Sequence, residues 1–412
     1  MAMTQGYLER QRGGFSLYGV LSVVFVLVLC IQLMRSMVLD TYSLTGTRVD
    51  LAGYATCLAI GAALILRAVQ NRRLMPNVVA LGFLNIAYIS VIVAATSLDT
   101  SLLAILLSRF GILTWFMLGL GTAAAASYIH LPVGTRLART QRNMFLLAAA
   151  AVGVLLSLYS LTYLSYPVST LAYQAVADSQ IIIIIVMMIF TQVIWGGKVP
   201  LAVLIGLVVV GTLAVTAVAR QQSTSIVGFW TVSLIIYFWS AVSKLPLKYK
   251  LLAFATIVGG GIMYLSSDLF TETIAKTRFS EVAGGGRLSS IDTRLSLLSD
   301  FGRQFSISPI FGDFSAEIRA NSGRGNYAHS LVSFLSHTGV VGTTLFCITL
   351  YFIFSRRWPV RRLAAPDIHQ FFFMSAVLAL GMAYTFMTWQ VLWFMLGYMC
   401  KTPTFRVPGA VR

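Results

Sequence analysis

The residues best suited to chemistry lie in one polar stretch, residues 269–330, of a chain that is otherwise mostly apolar. A guanidinium group binds phosphate oxygens through paired N–H donors. A histidine at a helix N-terminus is kept neutral by the backbone N–H groups and can act as a base. The residue types therefore predict a site that holds a pyrophosphate and takes a proton from an acceptor. The candidate residues in this stretch are Arg287, Arg294, Arg303, Arg319, Arg324 and His329.

A second explanation applies to each candidate. His329, directly before a new apolar run, also fits a polar residue at the membrane interface. Arg220, which opens the short loop 220–225, fits either a phosphate ligand or an arginine that extends its head to the interface. The arginines expected to be merely solvated are Arg303, Arg319 and Arg324.

Two further candidates lie within predicted apolar spans. Arg109 is about two turns from the outer end of its span, where a buried charge is costly and points to function. It is predicted either to line a cavity and contact phosphate or to form a structural ion pair with Asp99 or Asp178. His337 lies eight residues after His329, roughly 80° around a helix, and is predicted to support the site indirectly or to pack.

Carboxylates and cysteines in the chain give no metal pattern. Asp292, Asp313 and Glu317 form no Asp-x-Asp pair, and no His, Cys and Glu spacing resembles a zinc site. We expect a metal-independent reaction without a cofactor, in which arginines neutralise the leaving group. All four cysteines lie in apolar spans, so no disulfide is expected among Cys30, Cys57, Cys347 and Cys400.

The composition places these residues in a membrane protein. The chain is 58% hydrophobic and 10% charged, with a mean hydropathy of +0.82, a balance outside that of soluble domains. Long apolar runs with short breaks predict an all-α polytopic membrane protein in which residues 1–412 form one integral membrane domain. The net charge of +17 fits basic cytoplasmic loops, so no nucleic acid partner is expected.

Twelve transmembrane helices are predicted from the apolar runs. The first, residues 14–39, is too long for a signal-peptide core and is expected to be retained. The last apolar block, residues 370–400, is too long for one span and is divided into two short helices near Thr385–Thr388. The others are predicted at residues 48–68, 76–97, 101–129, 143–164, 179–196, 199–218, 225–243, 250–268 and 326–354.

One large outer loop, residues 269–325, is inserted between the ninth and tenth helices. Within it, Ser289-Ser290 can cap a short amphipathic helix, and Pro309 with Gly312 predicts a turn after the end of that helix. The apolar stripe of the helix comprises Ile291, Leu295, Leu298 and either Phe301 or Phe305.

The distribution of charge assigns sides to the loops. With the N-terminus in the cytoplasm, the predicted cytoplasmic segments hold nineteen of the thirty basic residues but only Glu9 and Asp367 of the thirteen acids. This asymmetry follows the positive-inside rule and predicts that both termini are cytoplasmic. ATP and nucleotide sugars are absent from the opposite side, so a donor used there must already be activated and held in the membrane. The residues predicted to face that side are Arg220, Arg287, Arg294 and His329.

Three motifs together resemble the bacterial O-antigen polymerase and O-antigen ligase superfamily. They are an arginine-bearing segment, a Pro–Gly turn, and a His-Ser pair before a helix with Gly-x-x-Gly. The resemblance is sharpest over residues 285–345, and the number of spans and the position of the large loop match along the whole chain. The sequence departs from the pattern of the superfamily at two points. Ala219 rather than serine precedes Arg220, and no second glycine follows Gly312. The motifs are Gly286-Arg287-Leu288-Ser289-Ser290-Ile291-Asp292-Thr293-Arg294, Ser308-Pro309-Ile310-Phe311-Gly312, and Ala328-His329-Ser330 with Gly339-Val340-Val341-Gly342.

The resemblance implies a glycosyltransferase of the bacterial inner membrane with a periplasmic active site. Its donor would be an undecaprenyl-pyrophosphate-linked glycan, and His329 would activate the acceptor hydroxyl. Membrane lipids and a chain-length regulator protein are further candidate partners. Direct displacement at the sugar C1 would invert its configuration. The pyrophosphate would be bound by Arg220, Arg287 and Arg294, with Arg109 as an additional candidate.

The acceptor separates two related activities. A polymerase joins the glycan to another lipid-linked repeat unit, and a ligase transfers it to the lipid A core. Polymerase is favoured because polymerases are the more numerous and divergent members of the superfamily. The alternative from another class is a polysaccharide or lipid transporter, but the chain shows no obvious internal repeat and its ionisable residues gather at one face.

Overall fold

The computed structural model of the chain describes some segments and leaves others outside its description. Residues 34–41, 47–52, 102–110, 321 and 331 are described by their backbone alone. The described residues are 17–41, 47–96, 102–128, 247–248, 251, 255, 296–321, 331–358, 360–364, 367–368, 370–371, 374–375, 378 and 390–405.

The described segments are helical. Two isolated β-bridges, Leu74 with Lys401 and Leu363 with Phe405, are the extent of strand-like pairing in these segments, and the predicted all-α class is confirmed there. A 3₁₀ turn covers Val360–Arg362. The helices, in chain order, are α1 (Leu17–Thr41), α2 (Thr47–Gln70), α3 (Pro76–Thr96), α4 (Leu102–Tyr128), α5 (Phe301–Ile307), α6 (Ala316–Asn321), α7 (Leu331–Ser355) and α8 (Gln390–Tyr398).

Four stretches of the described helices are long and apolar enough to cross a membrane. A shorter apolar stretch, Leu17–Leu33, lies in α1. The chain is therefore a helical membrane protein, as its composition predicted. The four stretches are Gly53–Gln70, Pro76–Thr96, Gly111–Tyr128 and Val332–Ser355.

Five of the predicted helices are found close to their predicted positions. They are the first four, which correspond to α1–α4, and the tenth, which corresponds to α7. Of the predicted 370–400 block, α8 is a short helix as expected, whereas the break near Thr385–Thr388 lies outside the described residues. The number twelve stays a prediction. The predicted helices wholly outside the described residues are 143–164, 179–196, 199–218 and 225–243.

The turn between α2 and α3 follows from its residue types. Arg72 takes a left-handed φ of 53°, and the Arg73 N–H donates to the Ala68 carbonyl at 2.8 Å, which ends α2. Pro76 then begins α3, a position where its missing N–H costs nothing.

Small residues bring α8 against α4. A Cβ atom on Gly119 would overlap the Phe394 carbonyl oxygen, and one on Gly397 would overlap the Phe116 carbonyl oxygen. Residues 391–398 of α8 are all buried, with Trp393 at 1% exposure. Close backbone approach through glycine is the usual way in which membrane helices gain packing energy, and here it fixes α8 in the core.

A buried polar pair joins α3 to α7. The Asn85 side-chain amide donates to the Thr349 hydroxyl at 2.7 Å and to the Leu81 carbonyl at 2.8 Å. Both side chains are buried, so each satisfies a group that would otherwise be unpaired in an apolar surrounding. One turn earlier, α3 packs Gly82 under the Phe116 ring of α4.

The two ends of α3 meet different parts of the chain. At its N-terminal end, the Met75 N–H donates to the Cys400 carbonyl at 2.8 Å and the Thr402 N–H donates to the Arg73 carbonyl at 2.9 Å. At its C-terminal end, the Thr96 hydroxyl accepts from the Phe314 N–H at 2.9 Å. The segment 311–319 of the large loop therefore lies at the end of α3 opposite the segment 399–405.

A buried arginine, Arg357, joins the end of α7 to residues 399–401 through hydrogen bonds. Arg357 is 1% exposed, and its guanidinium donates to the carbonyls of Ile353 at 3.0 Å, Met399 at 2.8 Å and Lys401 at 2.8 Å. Burial lowers the pKa of Arg357 to about 10, although the negative charge of the Asp367 carboxylate acts to raise it. The guanidinium therefore remains charged at neutral pH.

Candidate functional site

Most of the predicted catalytic and pyrophosphate-binding residues lie outside the part of the chain that the structure describes, so their arrangement stays a prediction. Arg220, Arg287, Arg294 and His329 lie outside the described residues. Arg109 lies on α4, in a segment described by its backbone alone. The structure describes the segments that adjoin these residues in sequence, which are residues 296–321 and α7.

A tight turn follows α5, as predicted from Pro309 and Gly312. The Gly312 N–H donates to the Ser308 carbonyl at 2.8 Å. Gly312 has a φ of 83°, which a residue without a Cβ atom adopts without steric cost. The turn reverses the chain and directs residues 313–315 towards α7 and the end of α3.

The helix α7 is interrupted where this turn contacts it. Gly339 has a φ of 64° and a ψ of −172°, which is not helical. The N–H groups of the next two residues find partners on the turn: Val340 donates to the Pro309 carbonyl at 2.9 Å and Val341 to the Ile310 carbonyl at 3.1 Å. An interrupted helix in a membrane needs such partners because unpaired backbone groups are costly there.

The turn and the interruption form one unit, which we call the interlock and define as residues 308–313 with residues 336–341. The Asp313 N–H donates to the Ser336 carbonyl at 3.1 Å and adds a third backbone bond across it. A Cβ atom on Gly312 would overlap backbone atoms of His337 and Gly339, and one on Gly339 would overlap the Ile310 carbonyl. Two of the three sequence motifs, Ser308–Gly312 and Gly339–Gly342, are therefore in direct backbone contact.

Tyr88 reaches the interlock from α3. Its hydroxyl is 2.8 Å from the Phe311 carbonyl oxygen and 3.1 Å from the Thr338 carbonyl oxygen, so the O–H lies between acceptors on the turn and on α7. The ring also packs against Gly342, where a Cβ atom would press into it. Tyr88 was not among the residues predicted from the sequence, because a tyrosine within an apolar span does not indicate which distant groups its hydroxyl contacts.

A buried carboxylate organises the loop beyond the turn. Asp313 is 2% exposed, accepts from the Ser315 N–H at 2.8 Å, and forms an ion pair with the Arg319 guanidinium at 3.1 Å. Arg319 also donates to the Thr96 carbonyl at 3.4 Å. The Arg319 side chain is 45% exposed, which agrees in part with the predicted solvation. Its guanidinium is nevertheless bound to the Asp313 carboxylate.

His337 lies beside a second loop carboxylate, that of Glu317. Its Nε2 atom lies 3.6 Å from a Glu317 carboxylate oxygen, and its ring centroid lies 5.6 Å from that of Phe314. The His337 side chain is 4% exposed and that of Glu317 is 14% exposed. The packing role predicted for His337 agrees with this burial, and any support that it gives to His329 stays a prediction.

The predicted amphipathic helix is present in part. Residues 296–299 and α5 are helical, with a turn at Asp300 between them. Leu298 of the predicted apolar stripe is 44% exposed and Leu297 is buried. The Ser289-Ser290 cap lies outside the described residues.

Arg303 lies on α5 as a solvated residue, as predicted. Its side chain is 59% exposed and lies 3.5 Å from the Asp300 carboxylate, three residues earlier in the chain. An exposed pair of this kind contributes little to stability. Arg303 is therefore a suitable comparison for the arginines that are predicted to bind pyrophosphate.

Within the described segments, no three His, Cys, Asp or Glu side chains are grouped closely enough to hold a metal ion. The fold and the site together define a helical membrane protein in which the turn Ser308–Gly312 is built into an interrupted helix. The chain matches no known protein-family model and no curated protein sequence.

Proposed function

We propose that this chain is a membrane glycosyltransferase that transfers a glycan from undecaprenyl-pyrophosphate to a hydroxyl acceptor on the periplasmic face. The observation that supports it is the interlock. Arg294 stands two positions before the first described loop residue, Ser296, and His329 stands two positions before Leu331, where α7 begins. The two described segments that adjoin them in sequence are bonded to each other across residues 308–313 and 336–341.

The chemistry assigned to these residues is a displacement at the sugar C1. The bond from C1 to the pyrophosphate oxygen breaks, and a bond from C1 to the acceptor oxygen forms. His329 takes the acceptor proton, a role that contributes about 10²- to 10⁴-fold to rates of this kind. Arg220, Arg287 and Arg294 stabilise the charge that develops on the leaving pyrophosphate, with Arg109 as a further candidate, and such stabilisation is usually the largest single contribution.

Among glycosyltransferases, the proposal favours a polymerase that joins lipid-linked repeat units into O-antigen or a similar surface polysaccharide. A ligase that transfers the finished polymer to the lipid A core is the alternative. Both would share the donor and the site, so the acceptor distinguishes them.

A transporter is the competing class, and the interrupted α7 is a feature that transporters also show. In transporters the ends of broken helices face the substrate. Here the N–H groups of Val340 and Val341 are instead bonded to the carbonyls of Pro309 and Ile310. The interruption is therefore occupied by the chain's own loop, and this contact favours the enzyme.

The test is the surface glycan pattern of a deletion strain that carries variants of the chain. We expect His329→Ala to abolish transfer, and Arg287→Ala and Arg294→Ala each to reduce it much more than Arg303→Ala, the exposed control. In the deletion strain itself, a single repeat unit on the core indicates a polymerase, and bare core with accumulated lipid-linked polymer indicates a ligase. Unchanged glycan length and attachment in His329→Ala would contradict the proposed base.

A further inference from the structure

We propose that Tyr88 is a positioning residue of the glycosyl transfer, and this inference rests on the function proposed above. Its hydroxyl is bonded to one carbonyl on each side of the interlock, Phe311 on the turn at 2.8 Å and Thr338 on α7 at 3.1 Å. Tyr88 belongs to neither segment, because it lies on α3. A single O–H group therefore fixes the loop and α7 relative to a third element.

The helix that carries Tyr88 is itself held firmly. Asn85, three residues earlier, is bonded to Thr349 on α7 at 2.7 Å, and Gly82 packs under the Phe116 ring of α4. At the end of α3, Thr96 accepts from the Phe314 N–H at 2.9 Å. Thus α3 contacts the loop at two points eight residues apart, about 12 Å along a helix, and it serves as the frame against which the loop is aligned.

The two segments that Tyr88 joins adjoin the two halves of the proposed site in sequence. Residues 308–313 continue the loop that carries Arg287 and Arg294, and Thr338 lies on the helix that follows His329. Displacement at C1 requires the leaving group and the base to be aligned, and a misplacement of 1 Å costs about a hundredfold in rate. Loss of the Tyr88 hydroxyl is therefore expected to lower turnover and to leave donor binding largely intact.

The first test compares Tyr88→Phe with Tyr351→Phe, a matched control on α7 whose side chain is exposed. Membranes that contain the full-length chain are supplied with the lipid-linked repeat unit extracted from the source bacterium. We expect Tyr88→Phe to lower kcat about ten- to hundredfold with KM changed less than about twofold, and Tyr351→Phe to change neither. Full activity in Tyr88→Phe, or a loss confined to KM, would overturn the inference.

The second test restores the alignment without the hydroxyl. Ile310 and Val341 are exposed and are joined by a backbone hydrogen bond of 3.1 Å. Ile310→Cys and Val341→Cys, combined with Cys347→Ser and closed with a short bis-maleimide, should restore kcat per folded molecule in Tyr88→Phe. A hydroxyl that acts on the substrate itself would not be replaced by the cross-link, so absence of rescue refutes alignment of the loop with α7 as the role of the hydroxyl.

The third test does not depend on activity. Hydrogen–deuterium exchange should be faster in Tyr88→Phe at the amides that cross the interlock, and unchanged exchange there would refute the role assigned to Tyr88. A wild-type chain that transfers no glycan would overturn the proposed function, while exchange would still decide whether Tyr88 holds the two segments together. The amides to follow are those of Asp313, Val340 and Val341.

Discussion

Gly339 determines the path of α7, because its φ of 64° is one that residues with a Cβ atom rarely adopt. The neighbouring Ile310 carbonyl fills the space where a Cβ atom would lie, and a backbone oxygen cannot rotate away. Gly312 is constrained in the same manner from the other side, with a φ of 83°. The interlock therefore depends on two backbones in close contact, which larger residues would separate.

Gly339→Ala is expected to destabilise the protein by about 1–3 kcal/mol through the φ angle alone, and the overlap with Ile310 adds to this loss. Gly302→Ala is the control, since Gly302 lies within α5 and a Cβ atom there meets nothing within 4 Å. Thermal unfolding of the full-length protein in detergent measures both variants. Equal stability of Gly339→Ala and the wild type would show that α7 does not follow this path.

At the scale of elements, the contact between α4 and α8 depends on the absence of side chains. Gly119 on α4 and Gly397 on α8 each face a carbonyl oxygen of the other helix. The nine-residue α8 is too short to gain much from helix propensity, and its stability comes from burial of residues 391–398. A separation of the two helices would expose that whole surface.

Gly119→Ala is expected to weaken this packing and to lower the unfolding temperature by several degrees, because the added methyl group overlaps the Phe394 carbonyl oxygen. Gly111 lies on the same helix with nothing within 4 Å of a Cβ atom, so Gly111→Ala provides a control with the same chemical change. Protease resistance and thermal unfolding in detergent report the difference. If the two variants behaved alike, the close contact of α4 with α8 would be refuted.

The positions of five helices could be predicted because each is a continuous apolar run with a polar break at its ends. The interruption of α7 could not be predicted in this way. Gly339 reads as an ordinary glycine in an apolar span, and the groups that complete its hydrogen bonds lie on the turn Ser308–Gly312, far away in the sequence. Local patterns carry no information about such a partner.

The candidate site likewise combines features set by neighbouring residues with features set by distant contacts. The turn at Pro309 and Gly312 was predicted from its own residues and is confirmed. In the loop helix, Leu298 of the predicted apolar stripe is exposed and Leu297 is buried; helical periodicity alone does not determine which side of such a helix meets the protein. Tyr88 was not anticipated, since its partners lie on two other elements.

At the scale of the whole molecule, segments predicted to share a side of the membrane lie together. Residues 71–75 meet residues 399–405, and residues 311–319 meet the opposite end of α3 at Thr96. This arrangement agrees with the relative sidedness that the charge distribution predicts. The sidedness itself, including which end faces the cytoplasm, stays a prediction.

Cysteine labelling in spheroplasts tests the sidedness. In a Cys347→Ser background, we expect a membrane-impermeant maleimide to label Arg303→Cys directly and Arg361→Cys only after permeabilisation, as both positions are exposed. The remaining cysteines, Cys30, Cys57 and Cys400, are buried and are therefore shielded from the reagent. The reverse labelling pattern would overturn the predicted orientation.

The buried guanidinium of Arg357 has a consequence for the order in which the chain is made. Two of its three acceptors are the carbonyls of residues 42 and 44 positions later, Met399 and Lys401. During synthesis, α7 therefore leaves the ribosome before these acceptors exist, and its charged end must remain hydrated until they arrive. This end of α7 can therefore close only after the segment that follows α8 has been made, which makes the closure a late step in the biogenesis of the protein.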